Sequence, residues 1–188
     1  MEPDSSPPAL LNTFSGVVLV AVAALPLAVM VVWALALRRK ATGASSGRAW
    51  RMSLAEVGIV YGTVPWVWMT MMPGAGAGIV PGRVSLVPLR DLATMGSGQI
   101  AGNLLVFAAL GFFAPVRFAA AASVPRVLAL AASCSILVEG AQYGLWLDRV
   151  SSVDDVLLNT AGAGLAALAS RRWWHGQSAW TISPSRTV

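Results

Sequence analysis

Five runs of roughly twenty mostly apolar residues constrain this chain most, because that is the length an α-helix needs to cross the hydrocarbon of a bilayer. They lie at 13–37, 54–72, 100–118, 127–147 and 152–169. Pro26 interrupts the first; proline is tolerated in membrane helices, so a kink is expected there rather than a break. The chain is 56% hydrophobic and 11% charged, where a water-soluble domain carries about a quarter charged residues. The expected fold class is all-α: a polytopic transmembrane bundle of about five helices, forming a single membrane domain over 1–188. No internal repeat and no second domain is legible. The residues before the first run include no Lys or Arg. A secretory signal peptide starts positively charged, so the first run is read as a retained helix.

The net charge of +5 and pI near 10.7 would suit a nucleic-acid binder, but the basic residues sit in short segments beside the apolar runs, as membrane-flanking charges do. No nucleic-acid partner is expected; membrane lipids are. Arg38, Arg39, Lys40, Arg48 and Arg51 lie between the first two runs, Arg117 and Arg126 between the third and fourth, and Arg171, Arg172 and Arg186 after the fifth. Placing these segments in the cytoplasm leaves only Arg83, Arg90 and Arg149 outside. The positive-inside rule then predicts an outer N-terminus, an inner C-terminus, and a cytoplasmic basic tail over 170–188. Trp33, Trp50, Trp146, Trp173 and Trp174, near run ends, fit interfacial anchors. The expected location is the cell membrane, as a multi-pass protein.

Candidate functional residues are the polar ones inside the apolar runs, since they are costly in hydrocarbon and mark function or a buried partner. Glu139 lies nine residues before Asp148, roughly 13 Å from the outer end of its helix at the α-helical rise. Ser135, Gln142 and Tyr143 share its face. Asn103 and Asn159 also fall near outer helix ends, with Arg149, Asp154 and Asp155 above them. These residues converge on an outward-facing polar pocket, with Asn159 as the expected partner of Glu139. Gly162, Ala163, Ala166 and Ser170 form a small-residue face suited to close helix packing. Asn103, Phe107 and Gly111 repeat at four-residue spacing.

Structural roles stand beside these functional ones. Ser152-x-x-Asp155 reads as a capping box opening the fifth helix. Arg149 would pair with Asp148 or Asp154. Asn103 and Asn159 would serve as interhelical hydrogen-bond glue. Glu56, in the first turn of the expected second helix, would be favoured by the helix dipole. Cys134 and His175 are each the sole residue of their type, so no metal site, Cys cluster or Ser–His pair is expected, and no cofactor. Adjacent Asp154 and Asp155 are too common a pattern to signal a cation.

Three stretches carry a family resemblance. They are Leu86-Val-Pro-Leu89, then Gly102-Asn-Leu-Leu-Val-Phe-Ala-Ala-Leu-Gly111 with Pro115, and Glu139-x-x-Gln142 followed by Arg149, Asp154, Asp155, Asn159, Gly162 and Gly164. Over about residues 84–169 the chain resembles the VanZ-like family of membrane proteins associated with teicoplanin resistance. Ala109 and Ser85 stand where that family often has Pro and Asn. The resemblance implies a role in the cell envelope, with lowered sensitivity to glycopeptides and a lipid-linked cell-wall precursor as a partner. Three readings follow. The first is an envelope factor that binds a lipid-linked or peptidoglycan-related ligand through Asn103, Glu139, Gln142, Arg149, Asp154, Asp155 and Asn159. The second is an intramembrane enzyme with Glu139 as catalytic acid or base. The third is a structural partner of another membrane protein. Five helices without a repeat argue against a transporter.

Overall fold

The computed structural model describes residues 13–176. Helix α1 spans Phe14–Ala41 and continues through Pro26. Thr13 starts it, its hydroxyl accepting from the Gly16 N–H at 3.0 Å, the usual N-cap bond. Helix α2 spans Ser46–Thr70. It is followed by strand β1, Arg83–Ser85. Helices α3, Ser97–Val106, and α4, Ala108–Arg117, form one rod broken at Phe107. Helix α5 spans Val124–Gly144, with Pro125 in its first turn, where proline's missing N–H removes no helical bond. Strand β2, Val150–Ser152, leads directly into helix α6, Val153–Ser170.

All five expected helices are present, with shifted ends. The charged residues expected between the first two runs are helical: Arg38, Arg39 and Lys40 end α1, and Arg48 and Arg51 lie in the first turns of α2. Straight-chain basic residues are good helix formers, so the turn shrinks to residues 42–45. Glu56 is consequently not in a first turn. It sits well inside α2 and accepts from Arg39 of α1 and Arg117 of α4, so ion pairing replaces the expected helix-dipole role. Arg39 also donates to Ser53. One carboxylate thus ties three helices together at the basic end of the bundle.

Helix α6 is the central rod, packed on α3, α4 and α5, while α2 bridges α1 and α4. A Cβ on Gly162 would lie 1.9 Å from the Leu104 carbonyl oxygen, and one on Gly111 would lie 2.1 Å from that of Ala163. Only glycine permits these two backbone crossings, which flank the break at Phe107. The core is correspondingly fine-grained, built from Val106, Phe107, Val127, Ala131, Ala163 and Ala167. Trp174 belongs to it. Its ring is buried and its Nε1 donates to Ser170 Oγ at 2.9 Å, so it is a core residue and not the expected interfacial anchor. Trp33, Trp50 and Trp146 are exposed.

The connector after α2 folds as a cap over one end of the bundle. Strands β1 and β2 pair in parallel, Val84 opposite Ser151, a small sheet that the all-helical expectation did not include. Gly74 and Gly78 donate backbone N–H groups to the carbonyls of Leu147 and Trp146, each at 2.8 Å.

The polarity of the molecule is inverted relative to a soluble protein. Leu19, Val22, Leu137 and Leu165 are each more than 60% exposed, while Ser135, Glu139, Gln142, Asp154 and Asn159 are buried. The helical segments Phe14–Ala41, Ser97–Arg117 and Val124–Gly144 are long and apolar enough to cross a membrane. Helices α2 and α6 pack among them and carry Glu56 and the Asp154, Asp155, Asn159 group, which makes them more polar.

Candidate functional site: a polar cavity beneath the connector

Glu139 lies on α5 and is 8% exposed. Its Oε2 accepts from the Ser152 backbone N–H at 3.0 Å, and its main-chain carbonyl accepts from the Ser151 hydroxyl at 2.8 Å. Glu139 therefore holds the strand-to-helix junction that launches α6. The Ser152 hydroxyl caps α6, accepting from the Asp154 N–H at 3.2 Å. The expected capping box is only half formed. In that motif the acid three residues on accepts the cap residue's N–H; here Glu139 takes that N–H, and Asp155 turns to Asn103, whose Nδ2 donates to Asp155 Oδ1.

Asn159 is not the partner of Glu139. Its Nδ2 donates to Ser135 Oγ at 2.7 Å, while its Oδ1 is buried without a partner. Gln142 donates to the Thr70 carbonyl at 2.9 Å. Arg149 pairs with neither Asp148 nor Asp154. Its Nε donates to the Met72 carbonyl at 2.9 Å and Nη2 to that of Met69 at 3.5 Å, which places the guanidinium on the negative end of the α2 dipole. Asp148 faces Arg83 at 3.5 Å and accepts the Gly76 N–H at 2.9 Å.

Asp154 is 1% exposed. Its carboxylate accepts three backbone N–H groups, from Leu89 at 2.6 Å and from Asp91 and Leu92 at 2.9 Å each. Leu89 has φ of 64°, a left-handed conformation that helps turn these amides towards one anion. Just above, the Ser152 hydroxyl donates to Asp91 Oδ2 at 2.6 Å. That bond, with a second from Ser85, holds the Asp91 carboxyl below its ordinary pKa.

These elements enclose a polar cavity of about 430 Å³. Glu139 and Gln142 of α5, Asp155 and Asn159 of α6, Asn103 of α3, and Arg149 all line it. Six of the seven expected site residues thus meet in one space; Asp154 does not line it, being committed to the connector above. Gln99, Arg83, Thr70 and Asp148 complete its polar lining, with Val138 and Val150 beside them. Gln99 was missed although it stands four residues before Asn103 on the same helix face. Thr70 could not be read as a site residue, because it belongs to a distant helix end. Neither Glu139 nor Asp155 forms an ion pair among the described residues. No group of three or more His, Cys, Asp or Glu able to hold a metal occurs among them.

Two apolar grooves adjoin the cavity. One, of about 350 Å³, runs between α1, α2 and α3 past Phe14, Trp66, Met69 and Leu105, and shares Thr70, Gln99, Asn103 and Arg149 with the cavity. The other, of about 370 Å³, lies beside β1, α5 and α6 and meets the cavity at Glu139.

The sequence profile of the VanZ/LLP1 family matches residues 25–174. The chain belongs to the VanZ/LLP1 family. The match takes in α2 and most of α1 as well as the motif-bearing stretch at 84–169, so every helix contributes to the family's unit. No curated protein and no solved structure matches the chain. With its inverted polarity and apolar helices, this is a VanZ-family membrane protein.

Proposed function

We propose that this VanZ-family protein is a multi-pass protein of the cell membrane that acts in the cell envelope. It holds a lipid-linked or peptidoglycan-related ligand in its polar cavity and thereby lowers sensitivity to glycopeptides such as teicoplanin. The observation that carries this reading is the meeting of Asn103, Glu139, Gln142, Arg149, Asp155 and Asn159 in one cavity, with two carboxylates outside any ion pair among the described residues and an unpartnered amide oxygen. Buried polar groups in a membrane bundle that do not satisfy each other are functional by default.

Charge supports the placement of the cavity in the outer half of the bilayer. Arg38, Arg39, Lys40, Arg48, Arg51, Arg117 and Arg126 gather at the end of the bundle away from the connector, which the positive-inside rule assigns to the cytoplasm. The cavity and the connector then face outward, with an outer N-terminus.

Two carboxylates in one cavity also support a second reading, an intramembrane enzyme in which Glu139 or Asp155 moves a proton. The test is teicoplanin susceptibility of a sensitive host expressing the wild type or Glu139→Gln at matched membrane levels. Protection by the wild type that is lost in the variant supports a functional cavity. Absence of protection by the wild type counts against the envelope role. Recovery of a chemically altered lipid from wild-type membranes, and not from the variant, favours the enzyme.

A further inference from the structure

We infer that the cavity takes the head group of an amine-bearing phospholipid, of the phosphoethanolamine type. Its ammonium sits among Glu139, Asp155 and Asn159, its phosphate at Arg149, and one acyl chain lies in the groove between α1, α2 and α3. This rests on reading the cavity as a ligand site and goes beyond the cell-wall ligand proposed above, giving the cavity a membrane phospholipid as occupant.

Three features point to an ammonium. A primary ammonium has three donors and no acceptor, and the cavity offers two carboxylates, with Asn159, whose buried Oδ1 has no partner, also in its lining. Glu139 is buried and Asp155 half-buried, and carboxylates so placed stay charged only beside a cation or strong donors. Asp155 receives one amide donor from Asn103, and Glu139 a backbone N–H from Ser152; neither contact brings a positive charge, and Arg83 and Arg149, which line the same cavity, form no ion pair with either carboxylate.

The phosphate position follows from Arg149. Two of its five N–H donors are used on the carbonyls of Met72 and Met69. The remaining ones are available to an anion, for which a guanidinium is well shaped. Arg149 and Asn103 also line the apolar groove. A molecule with its amine on the acidic side therefore passes its phosphate by Arg149 before its chain enters the groove. The three parts occur in the order in which an aminophospholipid carries them. A trimethylated head group has no N–H to give Asn159, and a glycerol head group brings no cation to the carboxylates.

The experiment is native mass spectrometry of the full-length protein in detergent with chain-matched phosphatidylethanolamine, its mono- and dimethyl derivatives, phosphatidylcholine and phosphatidylglycerol. The wild type should retain phosphatidylethanolamine about tenfold better than phosphatidylcholine, the worth of a charge-assisted hydrogen bond, with stepwise loss along the methylation series. Asp155→Asn should flatten that preference. The series on the wild type needs no variant to fold. Equal retention of phosphatidylethanolamine and phosphatidylcholine overturns the inference. Preferential retention of phosphatidylglycerol, abolished by Arg149→Gln, overturns the amine while leaving the cavity a lipid site. Absence of any retained phospholipid overturns this inference alone; the ligand-site reading is decided separately by the susceptibility of the wild type and Glu139→Gln.

Discussion

Asp154 and Asp155 are neighbours in sequence with separate tasks. Asp154 gathers the amides of Leu89, Asp91 and Leu92, whereas Asp155 faces the cavity through Asn103. Replacing Asp154 with Ala leaves three backbone N–H groups without their acceptor, so the variant should lose about 3 kcal/mol of stability and its connector should be cleaved sooner by limited proteolysis. An undiminished thermal midpoint would contradict the assigned role. Gly162 makes a different kind of demand. A methyl there would meet the Leu104 carbonyl, so Gly162→Ala should cost about 1–3 kcal/mol, the range for overpacking, in a detergent-based unfolding assay. Gly102→Ala, on α3 with open space around the added carbon, is the matched control. The site residues were legible in sequence because Asn103, Glu139, Gln142 and Asn159 are polar in apolar runs. Their bonds were not. Glu139 accepts from the backbone of Ser152, and Arg149 donates to the carbonyls of Met69 and Met72 at the end of α2, and main-chain groups carry no residue-specific signature.

Among the elements, the helices could be read from apolar run length and the connector could not. The α1–α2 turn is shorter than the apolar runs imply because charged residues continue both helices, and Arg39 is held there by its bonds to Glu56 and Ser53. The connector's order comes from long-range contacts: β1 on β2, Gly76 on Asp148, and Ser152 on Asp91. Only residues brought together by the helices make these contacts possible. The Asp91 contact has a pH signature. Its carboxyl is depressed chiefly by the Ser152 hydrogen bond, from an ordinary value of 3.8, so it binds protons less readily when folded than unfolded. Its contribution is fully present above that ordinary value and is lost as pH falls through the lower folded one. Hydrogen exchange at residues 85–92 should therefore be protected at neutral pH and lose an Asp91-dependent share of that protection only in acid. An Asp91→Asn variant that keeps the wild-type acid response would contradict this.

For the whole molecule, the exterior is apolar, the interior is polar at one end, and the basic charge is gathered at the other. Each feature follows from placing the bundle in a bilayer, where helices associate through small residues and polar contacts rather than through burial of apolar surface. That architecture leaves a cavity whose polar groups are not all satisfied internally, and an occupant would satisfy them. A crystal structure of the protein grown from a lipidic mesophase supplemented with host membrane lipids tests this most directly. Continuous non-protein density should run from Asn159, between Glu139 and Asp155, past Arg149 into the groove beside Trp66. A cavity holding ordered water alone, with Asn159 Oδ1 satisfied by that water and the groove closed, would show that the cavity is not a lipid site.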